Sequence, residues 1–231
     1  MKLEFPLQIK HANRLLCALL LVEAVFGLLY YLDFRNGAPS VIYHQLISLD
    51  LEANIPTWFS LVQLFMIGLI PILLACSAHY KAPPSRGGLV LFGSGFIYLS
   101  LDEGAVIHEK MTYTFHNNPL VPYFDGVHGI WITVYMGVLI LVLLVLGRDL
   151  WAIARKFPKE SAVFFLGMLI YLTGSAGAET LTFFFLDKSD QAMYNLEVII
   201  EEFLEMAGAS VLLYSVLCAA IKKSESLQAT G

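Results

Sequence analysis

The chain alternates between long apolar runs and short polar links. Runs of about 20 apolar residues, the length that spans the hydrocarbon core of a bilayer, occur six times: at residues 14–32, 57–78, 88–112, 129–147, 162–186 and 195–221. This pattern predicts an all-α, polytopic membrane protein, a bundle of six transmembrane helices forming one integral-membrane domain over residues 1–231. The links carry helix breakers. Ala82-Pro83-Pro84-Ser85 cannot continue a helix, and Asn117-Asn118-Pro119 with Pro122 interrupts the third connection in the same way. The first connection, 33–56, is longer and apolar in part from Val41 to Leu51. It suits a segment lying along the interface or folded over the bundle mouth, with Trp58 in the aromatic belt.

Composition supports a bilayer setting. The 231 residues are 58% hydrophobic and 14% charged, against about 25% charged in an average soluble domain. The net charge of −5 and the scattered basic residues exclude a nucleic-acid footprint. Cys17, Cys76 and Cys218 all fall in predicted helices without a Cys-x-x-Cys pair, and read as packing residues. The first run follows Lys2, Lys10 and Arg14, but no small-x-small cleavage site precedes Asp33, so it is expected to be a retained anchor.

Basic residues give an orientation. Lys2, Lys10, Arg14, Lys81, Arg86, Arg148, Arg155, Lys156, Lys159, Lys222 and Lys223 share one side of the predicted topology, whereas Arg35, Lys110 and Lys188 occupy the other. The positive-inside rule then predicts cytoplasmic termini and outward-facing connections 33–56, 113–128 and 187–194.

Against this background the acids stand out. An ionisable group in hydrocarbon costs about 2.5–3.5 kcal/mol on insertion scales, yet Asp102, Glu103, His108, Glu109, Glu179, Glu197, Glu201, Glu202 and Glu205 lie in or at the ends of three runs, with His128 nearby. Helical rise puts those on the third, fifth and sixth helices in one outer-half slab. Glu197, Glu201 and Glu205 repeat every four residues and line one face; Asp102 and Glu109, seven apart, share another. Glu103 and Glu202 diverge by about 100° and have a less definite target. Gly174 to Ala178 and Ala207 to Ser210 are small residues that let the fifth and sixth helices approach closely. Glu23, nearer the middle of the first helix, reads as separate from the cluster.

No Lys or Arg except the marginal Lys110 is available to neutralise these acids, which leaves protons, water or a cation. Carboxylates with one or two imidazoles suit Fe, Mn or Zn rather than Ca. A divalent metal ion is therefore the expected cofactor, with Asp102, His108, Glu109, Glu179, Glu197, Glu201, Glu205 and His128 as candidate ligands. His108-Glu109 is not the Glu-x-x-His of di-iron bundles, and no catalytic residue is assigned. Gly-x-Ser-x-Gly, His-Glu-x-x-His and a mid-helix Schiff-base lysine are missing from the sequence.

Three strings, Asn54-Ile-Pro-Thr-Trp-Phe-Ser60, Ser100-Leu-Asp-Glu-Gly-Ala-Val-Ile-His-Glu109 and Glu201-Glu-Phe-Leu-Glu-Met-Ala-Gly208, carry a resemblance to a family of uncharacterised bacterial multi-helix membrane proteins. The resemblance implies a bacterial inner-membrane location and no activity. Three function classes fit: a metal-binding or metal-dependent catalytic membrane protein, a proton or cation pathway, and a structural subunit of a larger membrane complex or homo-oligomer. A through-going pathway needs polar groups in the cytoplasmic half, where few occur: Glu23, Gln63 and the hydroxyls of Ser94, Tyr98 and Tyr171. That favours a cup over a pore.

Overall fold

The structure, a computed structural model, describes residues 8–78, 80–115, 130–178, 180 and 190–228. Its helices are α1 (Ile9–Arg35), α2 (Val41–Ile47), α3 (Ile55–Cys76), α4 (Arg86–Ala105), α5 (Ile107–Phe115), α6 (Ile130–Lys156), α7 (Pro158–Leu172) and α8 (Gln191–Gln228). A π-helical turn, Thr173–Ala178, continues α7. No strand occurs among the described residues. Five stretches are long and apolar enough to cross a membrane: Ile9–Arg35, Ile55–Cys76, Trp131–Lys156, Pro158–Ala178 and Gln191–Glu225.

The expected third span, 88–112, is corrected. It breaks at Val106, whose left-handed backbone (φ 53°, ψ 46°) separates α4 from α5. The Asp102 carboxylate stabilises the break by accepting the His108 backbone N–H at 2.8 Å, which caps the new helix. The expected link 148–161 also shrinks to a joint at Phe157, because α6 continues to Lys156. Arg155 and Lys156 sit in its last turn, where cations complement the helix dipole.

Helix α8 is the axis of the bundle: 67% of its apolar window is buried, against 6% for α6. It packs on α1, α3 and α7 around Leu64, Ile67, Ala209, Leu212, Leu217 and Ile221. Glycines permit the closest crossings. A Cβ on Gly68 would fall 2.4 Å from the Gly93 carbonyl oxygen where α3 meets α4, and one on Gly208 would fall 2.4 Å from the Tyr171 backbone nitrogen. The small residues of α7 and α8 therefore serve close packing, as their positions suggested. Leu144, Leu166 and Leu169 are more than half exposed, as lipid-facing side chains are.

The first connection folds over one end of the bundle. His44 Nδ1 lies 2.7 Å from Asp33 Oδ2, tying α2 to the end of α1. Leu49 is buried with Tyr30, Val198 and Met206, and Asp50 accepts a hydrogen bond from the Tyr194 hydroxyl of α8. Asn54 then caps α3 by accepting from Thr57 N at 3.1 Å.

Helix α6 is fastened at its ends and stands away between them. At one end Asp149 accepts from Ser85 N and Oγ at 2.7 and 2.6 Å. At the other, Trp131 packs edge-on against His108 at 5.3 Å, and the Tyr135 and Tyr98 hydroxyls are 3.1 Å apart. Leu146 is its one buried residue among those described.

Candidate functional site

The space left by α6 is a cavity of about 1560 Å³ bordered by α3, α4, α5, α6, α7, α8 and residues 49–52. Its two ends differ in chemistry. Between them the wall is hydrocarbon, including Phe92, Phe96, Leu139, Val142, Leu146 and Phe164. Gly95 of α4 adds to the room, since a Cβ there would meet no atom within 4 Å.

The acidic end gathers Asp50, Glu52, Asp102, Glu103, His108, Glu109, Glu197, Glu201, Glu202 and Glu205 on one cavity wall. Helix spacing delivers the α8 acids: Glu197, Glu201 and Glu205 recur every four residues. The π-helical turn lets α7 come against them, with Gly174 so close that a Cβ would lie 2.9 Å from the Glu201 carbonyl oxygen. Glu103 is hydrogen-bonded to Ser60 of α3. The charges bearing on Glu202 belong to Glu103, Glu201, Glu52 and Asp50, and those on Glu205 to Glu202, Glu103, Glu201 and Glu52. Carboxylates thus surround carboxylates. Glu52, at the rim ahead of α3, is exposed by area, but its partial enclosure and the charge of Glu109 push its carboxyl above the usual range.

Asp102, 6% exposed, orients the histidine. One oxygen takes the His108 backbone N–H at 2.8 Å and the other lies 3.2 Å from His108 Nδ1. A carboxylate at Nδ1 favours a proton on that nitrogen and fixes the ring, the arrangement used to hold an imidazole for proton transfer.

The opposite end holds one base and one acid, Lys223 and Glu160, beside the rings of Tyr80 and Phe157. The Lys223 ammonium donates to the carbonyls of Lys81 and Pro83 at 2.6 and 3.3 Å and lies 4.9 Å from the Tyr80 ring centre. Tyr80 donates to the Pro84 carbonyl at 2.6 Å, and burial pushes its phenol up to about 12.

Six of the eight predicted ligands, Asp102, His108, Glu109, Glu197, Glu201 and Glu205, line this one cavity. Glu179 and His128 lie outside the described residues. Convergence does not amount to a coordination sphere: among the described residues, no group of three or more His, Cys, Asp or Glu side chains is arranged to hold a metal ion. Glu103 and Glu202 belong to the cluster despite their ambiguous helical phase. Sequence reasoning missed Asp50, Glu52, Ser60 and Tyr135, and it assigned Tyr171, which lines the cavity, to the cytoplasmic half. For Glu52 a signal existed, because Asn54-Ile-Pro marks a helix start and puts an acid two residues ahead of the cap. Glu23 is separate from the cluster and bonds to Gln63 and Ser210.

No curated protein and no solved structure matches the chain. Residues 14–220 match one family, and the chain belongs to it: Domain of unknown function (DUF8692).

Proposed function

We propose that this chain binds an amphipathic molecule drawn from the membrane, with a positively charged head among the acids and a hydrocarbon chain along α4, α6 and α7. One observation carries the reading: a single cavity of about 1560 Å³ has a carboxylate-rich end continuous with an apolar wall. That volume exceeds the roughly 300–1,000 Å³ of drug-sized pockets and suits a lipid-sized guest. Moving an alkyl chain from lipid to an apolar wall gains little, because both surroundings are hydrocarbon. Selection therefore falls to the head, where a cation offsets the mutual repulsion of Glu103, Glu202 and Glu205. The Asp102–His108 pair stands ready to exchange a proton with that head, which leaves a catalytic role open to the same site. Apolar walls below the acids favour binding over conduction.

In this reading α4 is a sixth crossing, both ends of the chain face the cytoplasm and the acidic end faces outward, in a bacterial inner membrane. The basic residues that gather at the ends of α3, α6 and α8 and the start of α4 support that orientation.

Matched twelve-carbon probes test the proposal: dodecyltrimethylammonium, dodecyl maltoside and dodecyl sulfate, each added below its micellar concentration to protein in nanodiscs. The cationic probe is expected to raise the melting temperature in a saturable way that Glu202→Gln weakens. Equal effects of all three probes refute a cation-selective head site. Stabilisation by Mn²⁺ or Zn²⁺ without any response to the cationic probe returns the acids to a metal centre.

A further inference from the structure

Away from the cavity, a second buried polar group joins three helices. Glu23 of α1, Gln63 of α3 and Ser210 of α8 are 0%, 2% and 0% exposed. None of them lines the large cavity. Glu23 is 14 residues from one end of α1 and 12 from the other, which puts it about 18–21 Å from either end at the helical rise.

The donors of this group are all committed. The Gln63 amide nitrogen donates to Glu23 Oε1 at 3.0 Å and to Ser210 Oγ at 2.7 Å. The single Ser210 hydroxyl proton goes to Glu23 Oε1 at 2.6 Å. Two buried acceptors remain without a donor, Glu23 Oε2 and Gln63 Oε1. They are the second oxygen of the carboxyl and the oxygen of the amide already bonded to it. Turning the amide by 180°, an orientation the heavy atoms alone do not distinguish, brings its oxygen 3.0 Å from Glu23 Oε1. That contact also requires a proton on the carboxyl.

We infer that Glu23 is a proton-binding site: its carboxyl is carried neutral and shares one proton with Gln63 in a two-point acid–amide pair. One proton supplies the missing donor and satisfies both acceptors, whereas a hard cation such as calcium seeks six to eight oxygens and finds a much smaller set here. The other ionisable groups on these helices stand apart along the chain. The nearest on α1 are Cys17 before Glu23 and Tyr30 after it; on α8 Glu205 and Tyr214 flank Ser210; on α3 the nearest is Cys76. Seating of α1 against α3 and α8 is thereby tied to retention of this proton.

Infrared difference spectroscopy of wild type against Glu23→Gln at neutral pH tests the assignment. One protonated-carboxyl C=O band, sensitive to deuterium exchange, is expected to disappear in the variant. Because an amide can replace the acid in the pair, Glu23→Gln is expected to melt within about 3 °C of wild type. In Gln63→Leu the acid band is expected to remain but shift, because the carboxyl keeps the Ser210 bond and loses the amide. Loss of an ionised-carboxylate band in Glu23→Gln, as a water bridging two acceptors would give, overturns the inference. So does failure of Glu23→Gln to fold, or an acid band unmoved by Gln63→Leu.

Discussion

Asp102 holds two groups at once, the backbone N–H and the ring of His108. Asp102→Ala removes a cap and a charge-assisted bond together, so it is expected to lower stability by about 1.5–3 kcal/mol, as read by unfolding in mixed micelles. Asp102→Asn, which keeps one acceptor for the backbone N–H, is expected to lose less. Glu52 gives a pH prediction. Its folded carboxyl lies above the usual range, so the folded chain holds that proton more tightly than the unfolded one. Its contribution is full below the unfolded pKa and is lost as pH rises through the folded value. In thermal melts at increasing pH, Glu52→Gln is expected to lose less stability than wild type; equal slopes contradict the assignment. The α8 acids were legible because a spacing of four fixes their common face. Glu52 and Asp50 lie in a connection, where no period says which way a residue points, and only the fold of residues 48–54 over the bundle brings them to the rim.

Most of the helices were legible as apolar runs, and the break in α4 was not. A β-branched residue in the left-handed region is a costly choice that no local pattern announces; at Val106 it accompanies the bond from the His108 backbone N–H to Asp102. Val106→Gly discriminates the two accounts. At a left-handed position glycine relieves about 1 kcal/mol of strain, whereas inside a continuous helix it costs about 0.5–1 kcal/mol relative to Ala. The variant is expected to be neutral or more stable in chemical unfolding. At the α7–α8 crossing the small residues were legible as packing, and their tolerance is low: Gly208→Leu drives a Cβ toward the Tyr171 backbone. A loss of at least about 1–3 kcal/mol is expected from overpacking. The π-helical turn of Thr173–Ala178 had no sequence signal beyond its run of small residues.

Across the whole molecule, the position of α6 sets the cavity. A helix pinned at both ends by Asp149 and by Trp131 and Tyr135, with Leu146 its one buried side chain between them among the described residues, leaves an apolar chamber that hydropathy cannot reveal, since lipid-facing and cavity-facing residues are equally apolar. The orientation is checked by single cysteines at Asn36 and Lys159 in a chain lacking Cys17, Cys76 and Cys218. Position 36 is expected to react with an impermeant thiol reagent added outside the cell, and position 159 only after the membrane is opened. Reversed labelling refutes the topology.

The central claim, an acid-headed cavity that takes a cationic amphiphile, is tested most directly by photolabelling with an alkyltrimethylammonium probe carrying a diazirine in its tail. Adducts mapped by mass spectrometry are expected on cavity-facing residues such as Phe92, Val142 and Phe164. They should be lost in Gly95→Phe, which fills the open space beside α4, and be absent with a sulfate-headed analogue. Adducts confined to Leu144, Leu166 and Leu169, which are exposed and outside the cavity lining, equal for both head groups and indifferent to Gly95→Phe, rule the reading out.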